Sequence, residues 1–309
     1  MQFFGSIFAI YTNLFSNFGN KKKLQKMTTR EAIQHLRDKL GTLYDHREVE
    51  GITRVIIEDV LQWKPVDIVM RENDQLPSFF PARLDEIISR LLRHEPLQYI
   101  LGKARFHGHE FTVTPAVLIP RPETEQLVDM IVDQNQESDL QVLDIGTGSG
   151  CIAISLARAL KFAQVTAIDI STDALAIAQH NAETLRTRVR FVVQDILTCR
   201  APSEAWNIIV SNPPYITESE KVAMEPNVLN YEPAGALFVP DNDPILYYRA
   251  IASYSARALK NGGRLYLEIN RAMAQQVNDA LRQAGLRNIM VYNDFNGNSR
   301  FVTAMKIID

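Results

Sequence analysis

The sequence predicts an α/β fold with a mostly parallel sheet whose last strand is antiparallel, preceded by a bundle of helices. From Gln141 onward, short apolar strand patterns alternate with helical patterns, which is typical of a parallel sheet with crossover helices. The turn signal Asn296-Gly297-Asn298 joins the last two strand patterns, so we expect a closing hairpin. Upstream, residues 29–101 carry apolar residues at helical spacing, punctuated by prolines.

The chain of 309 residues is long enough for two domains. The predicted segments are an extension outside the fold at 1–26, an N-terminal helical domain at 27–102, a β-hairpin linker at 103–120 and an α/β domain at 121–309. Thr28 or Thr29 is a suitable N-cap for the first helix. In the extension, the lysine run follows the apolar stretch instead of preceding it, which is unlike a signal peptide. The stretch is also too short and polar for a membrane span.

Charge and cysteine content argue against a general nucleic-acid binder and against a disulfide scaffold, although a local basic patch is still possible. The formal net charge of −3 provides no general attraction to nucleic-acid phosphates. The two cysteines, Cys151 and Cys199, lack a metal-type spacing and indicate a reducing compartment, so we expect a cytoplasmic protein. His107 and His109 have no cysteine or carboxylate partners at a ligand spacing, and we predict no metal site.

The strand patterns of the α/β part follow one another in order. They lie at 142–145, 165–169, 189–193, 208–210 and 263–269, with the closing strands at 289–292 and 301–305. The glycine turn 146–150, Asp169, Asp195 and Asn212 directly follow or end the first four. Because ligands of open α/β sheets bind at the carboxyl ends of the strands, we expect these four features to share one site.

The glycine turn predicts a nucleotide-like cofactor, since glycines let a ligand approach the backbone at a helix N-terminus. An acid about 20 residues further on, Asp169, suits ribose hydroxyls. A nicotinamide cofactor would use both features. The spacing Gly-x-Gly-x-Gly and the preceding Asp144 favour S-adenosylmethionine, whose amino group an acid there could bind. Asp195 could reach the adenine amine, with Ile196 beside the ring. The predicted cofactor-binding residues are Asp144, Gly146, Thr147, Gly148, Ser149, Gly150, Asp169, Asp195, Ile196 and Asn212.

The stretch Ser211-Asn212-Pro213-Pro214-Tyr215 predicts the catalytic corner. Each proline fixes its own φ and holds the preceding residue out of the α region, so the carboxamide of Asn212 is held in place. The Asn212 oxygen and the Pro213 carbonyl can accept both hydrogens of a planar –NH2 group, which orients its nitrogen toward an electrophile. Pro214 stiffens the corner, and Tyr215 is expected to form a wall of the pocket. Asparagine-proline pairs also occur in plain turns.

Five segments carry a resemblance to the HemK/PrmC family, the glutamine methyltransferases of peptide chain release factors. They are Glu95-Pro96-Leu97-Gln98-Tyr99-Ile100-Leu101-Gly102, Pro120-Arg121-Pro122-Glu123-Thr124-Glu125, Asp144-Ile145-Gly146-Thr147-Gly148-Ser149-Gly150, Asn212-Pro213-Pro214-Tyr215-Ile216 and Glu232-Pro233-Ala234-Gly235-Ala236-Leu237.

The resemblance implies a Rossmann-like class I methyltransferase sheet. It also implies methyl transfer to the glutamine of a Gly-Gly-Gln loop in class 1 release factors, gripped in part by the helical domain. Ile196 departs from relatives that carry an aromatic residue beside the adenine.

Two alternative functions differ from the methylation of release factors. An amino-methyltransferase acting on adenine in nucleic acid shares the Asn-Pro-Pro-Tyr corner, but it needs a base-extruding, target-reading region, for which residues 216–245 are too short. A non-catalytic binding module could keep the fold as a scaffold, although the intact site residues argue against it. We expect a monomer without direct nucleic-acid or membrane contact.

Overall fold

The computed structural model describes residues 26–308. The chain divides into two compact units, one up to Arg93 and one from His94 onward. The predicted extension at 1–26 lies outside the described residues except for Lys26.

The first unit is helical. Its helices are α1 (Thr29–Leu40), α2 (His46–Leu61), α3 (Pro65–Met70) and α4 (Phe80–Leu91). Thr28 caps α1, as expected: its side chain accepts from the Glu31 amide, and the Glu31 carboxylate accepts from the Thr28 amide at 2.7 Å. This reciprocal pair satisfies two backbone donors that a helix start leaves free. The fully buried Leu36, Ile56 and Leu84 form part of its core.

The second unit opens with the short helix α5 (Leu97–Leu101) and the antiparallel hairpin of β1 (Lys103–Phe106) and β2 (His109–Thr112). The hairpin is fixed to the rest of the unit by Asn181. The buried Asn181 side chain accepts from the Thr112 amide at 2.7 Å and donates to the Thr112 and Ser149 carbonyls. One carboxamide therefore joins the hairpin to the glycine turn.

A seven-stranded sheet forms the centre of this unit. Its strands are β3 (Gln141–Ile145), β4 (Gln164–Asp169), β5 (Arg190–Val193), β6 (Trp206–Ser211), β9 (Leu259–Glu268), β10 (Arg287–Asn293) and β11 (Ser299–Met305). Their order across the sheet is β10-β11-β9-β6-β3-β4-β5. Strand β11 is antiparallel to both neighbours, and the other pairs are parallel. The predicted fold class is confirmed, with the antiparallel strand lying inside the sheet.

Helices cover both faces of the sheet. They are α6 (Pro122–Gln134), α7 (Cys151–Ala159), α8 (Thr172–Thr184), α11 (Leu246–Ala258) and α12 (Ala274–Gln283). On β3, Val142 belongs to the core cluster that includes residues of α6 and α7, and its neighbour Leu143 to the cluster that includes residues of α11 and α12. This alternation follows from the two-residue period of a strand buried on both faces.

The order in which successive strands join the sheet sets the position of the site. From β3 the chain proceeds to β4 and β5 on one side, and β6 then pairs with the other side of β3. Such a reversal leaves a crevice at the carboxyl ends of the strands. The ends of β6, β3, β4 and β5 are consecutive neighbours, which brings together the four features that the sequence placed there.

A segment between β6 and α11 folds in a way the sequence did not predict. It contains the paired two-residue strands β7 (Ile216–Thr217) and β8 (Phe238–Val239). Between them lie a 3₁₀ turn at Glu218–Ala223 and the short helices α9 (Pro226–Tyr231) and α10 (Ala234–Leu237). These elements have too few residues for periodicity to reveal them.

Among the described residues, the structure contains no helix with the length and apolar character needed to cross a bilayer.

Candidate active site

A cavity of about 370 Å³ opens at the carboxyl ends of the central strands. Ten of the residues predicted for the site line it, namely Gly146, Thr147, Gly148, Ser149, Asp169, Asp195, Ile196, Asn212, Pro213 and Pro214. Three predicted residues, Asp144, Gly150 and Tyr215, do not line it. The glycine turn and the predicted catalytic corner therefore line the same crevice.

The glycine turn forms an open cradle. Gly146 and Gly148 have φ angles of 72° and 55°, and a Cβ added to either would meet nothing within 4 Å. Both positions therefore need glycine for backbone conformation, and the space beside them is free for a ligand. A larger side chain at Gly148 would project into that space.

Gly150 is packed closely against a neighbouring helix and does not line the cavity. Its φ is 80°, and a Cβ there would lie 3.0 Å from the Ala178 Cβ and 3.1 Å from the Ile154 Cδ1. Glycine at this position lets α7 start close against α8. The sequence could not separate the two roles, because both require glycine at the same turn.

Asp169 braces the turn and lines the cavity. Its Oδ2 accepts from the Gly148 amide at 2.9 Å, and its Oδ1 accepts from the Ser171 amide at 2.9 Å. Two backbone donors hold the carboxylate at the end of β4, where its remaining lone pairs can accept from ligand hydroxyls.

Asp144, which the sequence analysis assigns to the amino group of the cofactor, lies behind the glycine turn. The residue is completely buried and does not line the cavity. Its Oδ2 accepts from the Thr147 hydroxyl at 2.6 Å, while its Oδ1 has no hydrogen-bond partner. Burial raises the pKa of Asp144 to about 7, although the Thr147 hydroxyl and the Ala153 amide oppose the rise. Asp144 supports the glycine turn from within the protein.

Asp195 and Ile196 form the wall that follows β5. The Asp195 Oδ1 accepts from the Leu197 amide at 2.9 Å, which fixes the carboxylate at the turn. Ile196 packs against the core cluster behind the cavity, and Tyr247 lines the cavity too. Tyr247 was not predicted, since a tyrosine in an apolar helix is more often a core residue.

The Asn212 side chain lies at the end of β6 and is held by one neighbour. Its Nδ2 donates to the Thr124 Oγ1 at 3.3 Å. Thr124 is buried, and its hydroxyl donates in turn to the Glu268 Oε2 at 2.8 Å. With Nδ2 engaged, the Oδ1 of the same carboxamide is the atom left to accept from a ligand.

Tyr215 also departs from the expectation that it would form the pocket wall. Its hydroxyl donates to the Glu268 Oε1 at 3.1 Å, and the Arg300 guanidinium donates to the Tyr215 oxygen at 3.4 Å. Burial raises the pKa of Tyr215. The phenol of this partly buried tyrosine finds its hydrogen-bond partner inside the protein, and Tyr215 does not line the cavity.

An ion pair between Arg121 and Glu232 joins two of the segments that resemble the HemK/PrmC family. The Arg121 guanidinium donates to the Glu232 Oε1 at 2.6 Å, and the Ile119 amide donates to the Oε2 at 3.2 Å. The Glu232 side chain is 1% exposed, and Arg121 lines the cavity beside Pro233. Glu232 thereby anchors the unpredicted segment to the entry of α6.

Sequence reasoning missed the roles of Thr124 and Glu268. Thr124 lies within a quoted segment and was treated as a helix start. One feature of the sequence could have marked Glu268 as a candidate site residue. It is an acid at the carboxyl end of an apolar strand, as are Asp169 and Asp195. Its partner Thr124 is 144 residues away, and no local pattern reveals such a pairing.

The cavity fits the cofactor predicted from the sequence. Its glycine cradle leaves room for a ligand, Asp169 and Asp195 supply acceptors for hydroxyl and amino groups, and Ile196 supplies an apolar surface. Within residues 26–308, no group of three or more histidine, cysteine, aspartate or glutamate side chains is arranged to hold a metal ion.

The order of the strands in the sheet, the glycine cradle and the Asn212 carboxamide at the end of β6 together define a class I methyltransferase. A family model described as "Methyltransferase small domain" matches residues 123–230. A second, described as "PrmC N-terminal domain", matches residues 31–102.

Curated relatives are similar over nearly their whole length. The chain is 46% identical to a release factor glutamine methyltransferase of Bacteroides thetaiotaomicron over 87% of this chain and 97% of the relative. It is 41% identical to that of Flavobacterium psychrophilum, over 85% of this chain and 94% of the relative. A solved protein-(glutamine-N5) methyltransferase (release factor-specific) from Alicyclobacillus acidocaldarius is 29% identical, covering 64% of this chain and 100% of that chain, with a TM-score of 0.39, too low to bear on the site.

This chain belongs to the release factor glutamine methyltransferase family, the family that the sequence motifs resembled.

Proposed function

We propose that this protein methylates the side-chain amide nitrogen of the glutamine in the Gly-Gly-Gln motif of peptide chain release factors. The observation that carries the proposal is the Asn212 carboxamide, held beside the glycine cradle with its oxygen free to accept. The chain's membership of the release factor glutamine methyltransferase family supports the same substrate.

The cofactor is S-adenosylmethionine, whose sulfonium supplies an electrophilic methyl group, so the chemistry needs no nucleophilic side chain from the protein. The chain's residues bind and orient. We assign the cradle at Gly146 and Gly148 to close approach of the cofactor, Asp169 to its ribose hydroxyls, and Asp195 with Ile196 to its adenine.

The target glutamine would be held by two acceptors at the end of β6. An amide –NH2 group has two hydrogens, which the Asn212 Oδ1 and the Pro213 carbonyl can accept. Both acceptors belong to a corner stiffened by two prolines, so the nitrogen is held in one orientation. Holding reactants in a productive geometry can lower a barrier by roughly 7–11 kcal/mol in favourable cases.

The walls beside this corner also exclude water. Pro213, Pro214 and Ile145 line the cavity as apolar groups, and such surroundings favour a reaction that disperses a positive charge. The methylated nitrogen then loses a proton. No side chain that lines the cavity is positioned as a strong base for it, and we assign that step to water after the transfer.

The helical unit is proposed to help recognise the release factor. Its helix α3 exposes Val66, Val69 and Met70 at 62%, 75% and 78%. A group of exposed apolar side chains on one short helix is typical of a protein-binding surface.

The alternative substrate, adenine in nucleic acid, is not favoured, because the curated relatives are named for glutamine methylation of release factors. We further propose that the protein acts as a monomer, makes no direct nucleic-acid contact and works in the cytoplasm, where its proposed substrates act. Light scattering of the purified protein would test the monomer.

The decisive assay incubates the protein with S-adenosylmethionine and either a release factor or adenine-containing DNA and RNA. We expect mass spectrometry to find one added methyl group on the glutamine of the Gly-Gly-Gln motif. A release factor in which that glutamine is replaced by glutamate is the control and should remain unmodified. Methylated adenine together with an unmodified release factor would refute the proposal.

A further inference from the structure

The Asn212 carboxamide can be useful in only one of its two orientations. A target –NH2 group donates hydrogens, so an acceptor has to face it. If the carboxamide turned over, its own –NH2 group would face the target, and two donors would oppose each other. A half-turn about the Cβ–Cγ bond of asparagine exchanges oxygen and nitrogen with almost no change of shape, so packing alone does not select the orientation.

A chain of hydrogen bonds selects one orientation of the Asn212 carboxamide. The Glu268 carboxylate is an acceptor without a proton to donate. The Thr124 hydroxyl, at 2.8 Å, must therefore donate its one proton to the Glu268 Oε2. Only lone pairs of the Thr124 oxygen remain for Asn212, so the Asn212 atom 3.3 Å away has to be the donor Nδ2.

The hydrogen bonds around Glu268 use both of its carboxylate oxygens as acceptors. The Oε2 accepts from the Thr124 hydroxyl, and the Oε1 accepts from the Tyr215 hydroxyl, whose own oxygen accepts from the Arg300 guanidinium. Glu268 is 2% exposed, and burial raises its pKa. The Thr124 hydroxyl, the Arg300 guanidinium and the Tyr215 hydroxyl oppose that rise.

We propose that Glu268 is a positioning residue for methyl transfer: acting through Thr124, it fixes the Asn212 carboxamide with Oδ1 toward the cavity. Tyr215 and Arg300 support the Glu268 carboxylate. The phenol of the Asn-Pro-Pro-Tyr corner thus acts through the orientation of Asn212 and not through contact with the substrate. This inference rests on the proposed function, because the orientation matters only if the target donates an –NH2 group.

Glu268→Gln is the most direct variant. The new carboxamide has nearly the same shape but can donate to the Thr124 oxygen, which frees the Thr124 proton to point at Asn212. The Asn212 side chain can then turn its oxygen toward Thr124. We expect kcat for release factor methylation to fall at least about tenfold, while the KM for the release factor and the Kd of the cofactor change less than about threefold.

Variants of Thr124 distinguish a lost orientation of the Asn212 carboxamide from a general disturbance of the structure. Thr124→Val removes the hydroxyl and should lower kcat in the same way, whereas Thr124→Ser keeps the hydroxyl and should restore most of it. Thr303→Val is the matched control, because Thr303 is a buried threonine of β11 outside this chain of hydrogen bonds. It should retain the wild-type kcat.

A second readout is independent of turnover. In protein with isotope-labelled asparagine, the Asn212 side-chain –NH2 signal, assigned by its loss in Asn212→Asp, should shift in Thr124→Val and Glu268→Gln but not in Thr303→Val. Wild-type kcat in both network variants, or an unshifted signal, would overturn the inference. Wild-type protein that fails to methylate release factors would refute the proposed function, while the signal would still report the orientation.

Discussion

The Asn212 nitrogen is engaged with Thr124, and we propose that its oxygen is therefore the acceptor that faces the cavity. Gly148 contributes at the same scale in a different way: it has a φ of 55° and open space where a side chain would begin. Gly150, two positions later, has a φ of 80° and no such space. We therefore expect a substitution of Gly148 to weaken cofactor binding more than a substitution of Gly150 does.

Gly148→Ala should weaken cofactor binding, because the added methyl group occupies the cradle, in addition to the strain of a side chain at a φ of 55°. We expect the Kd of S-adenosylmethionine to rise about tenfold or more, measured by calorimetry. Gly150→Ala should mainly lower the free energy of unfolding, by about 1–3 kcal/mol, because its methyl group meets Ala178 and Ile154. Denaturant unfolding of both variants provides the comparison, and equal effects on Kd would contradict the distinction.

At the scale of elements, Glu232 ties the α9–α10 segment to the entry of α6. Arg121→Ala would leave the Glu232 carboxylate buried with only the Ile119 amide as donor. We expect a loss of about 1–3 kcal/mol in the free energy of unfolding. The double variant Arg121→Ala with Glu232→Gln should be more stable than Arg121→Ala alone, because the uncompensated charge is gone. A double variant that is less stable would show that charge burial is not the cause.

Helix α3 provides a second prediction at this scale. Val69→Asp combined with Met70→Asp places charges on the exposed apolar group, and we expect the KM for the release factor to rise at least about tenfold. The Kd of S-adenosylmethionine should stay within about twofold, since the substitutions are in the other unit. Phe162→Asp, at a residue 72% exposed in the second unit, is the matched control. An unchanged KM in the α3 variant would remove this surface from substrate recognition.

For the whole molecule, the fold class was predictable because strand and helix patterns alternate along the chain, whereas the order of the strands within the sheet was not predicted. The predicted cavity-lining residues lie at strand ends, which chain order alone brings together. Asp144, Gly150 and Tyr215 do not line the cavity, because each side chain or position is used inside the protein, and the ligand contacts expected of them stay predictions. Whether an acid at a turn faces a ligand or the interior depends on packing that no local pattern encodes. The pairing of Thr124 with Glu268 was missed for the same reason.

Asp144 predicts how the stability of the whole molecule depends on pH. Its folded-state pKa of about 7 lies above the ordinary value of 3.8, so the folded protein binds a proton more tightly than the unfolded chain. The stability from this group is present at low pH and is lost as pH rises through 7. Between pH 5.5 and 8 we expect Asp144→Asn to show a smaller fall in Tm than the wild type. Parallel Tm curves for the two proteins would contradict the assignment.

The central claim is that the Asn212 carboxamide orients the target amide beside the bound cofactor. Single-turnover methylation of a release factor by Asn212→Ala, with the Kd of S-adenosylmethionine measured on the same protein, tests it most directly. The predicted result is a rate lowered by at least about 10²-fold, with a Kd within about threefold of the wild type. A wild-type rate of transfer to the Gly-Gly-Gln glutamine by that variant would contradict the claim.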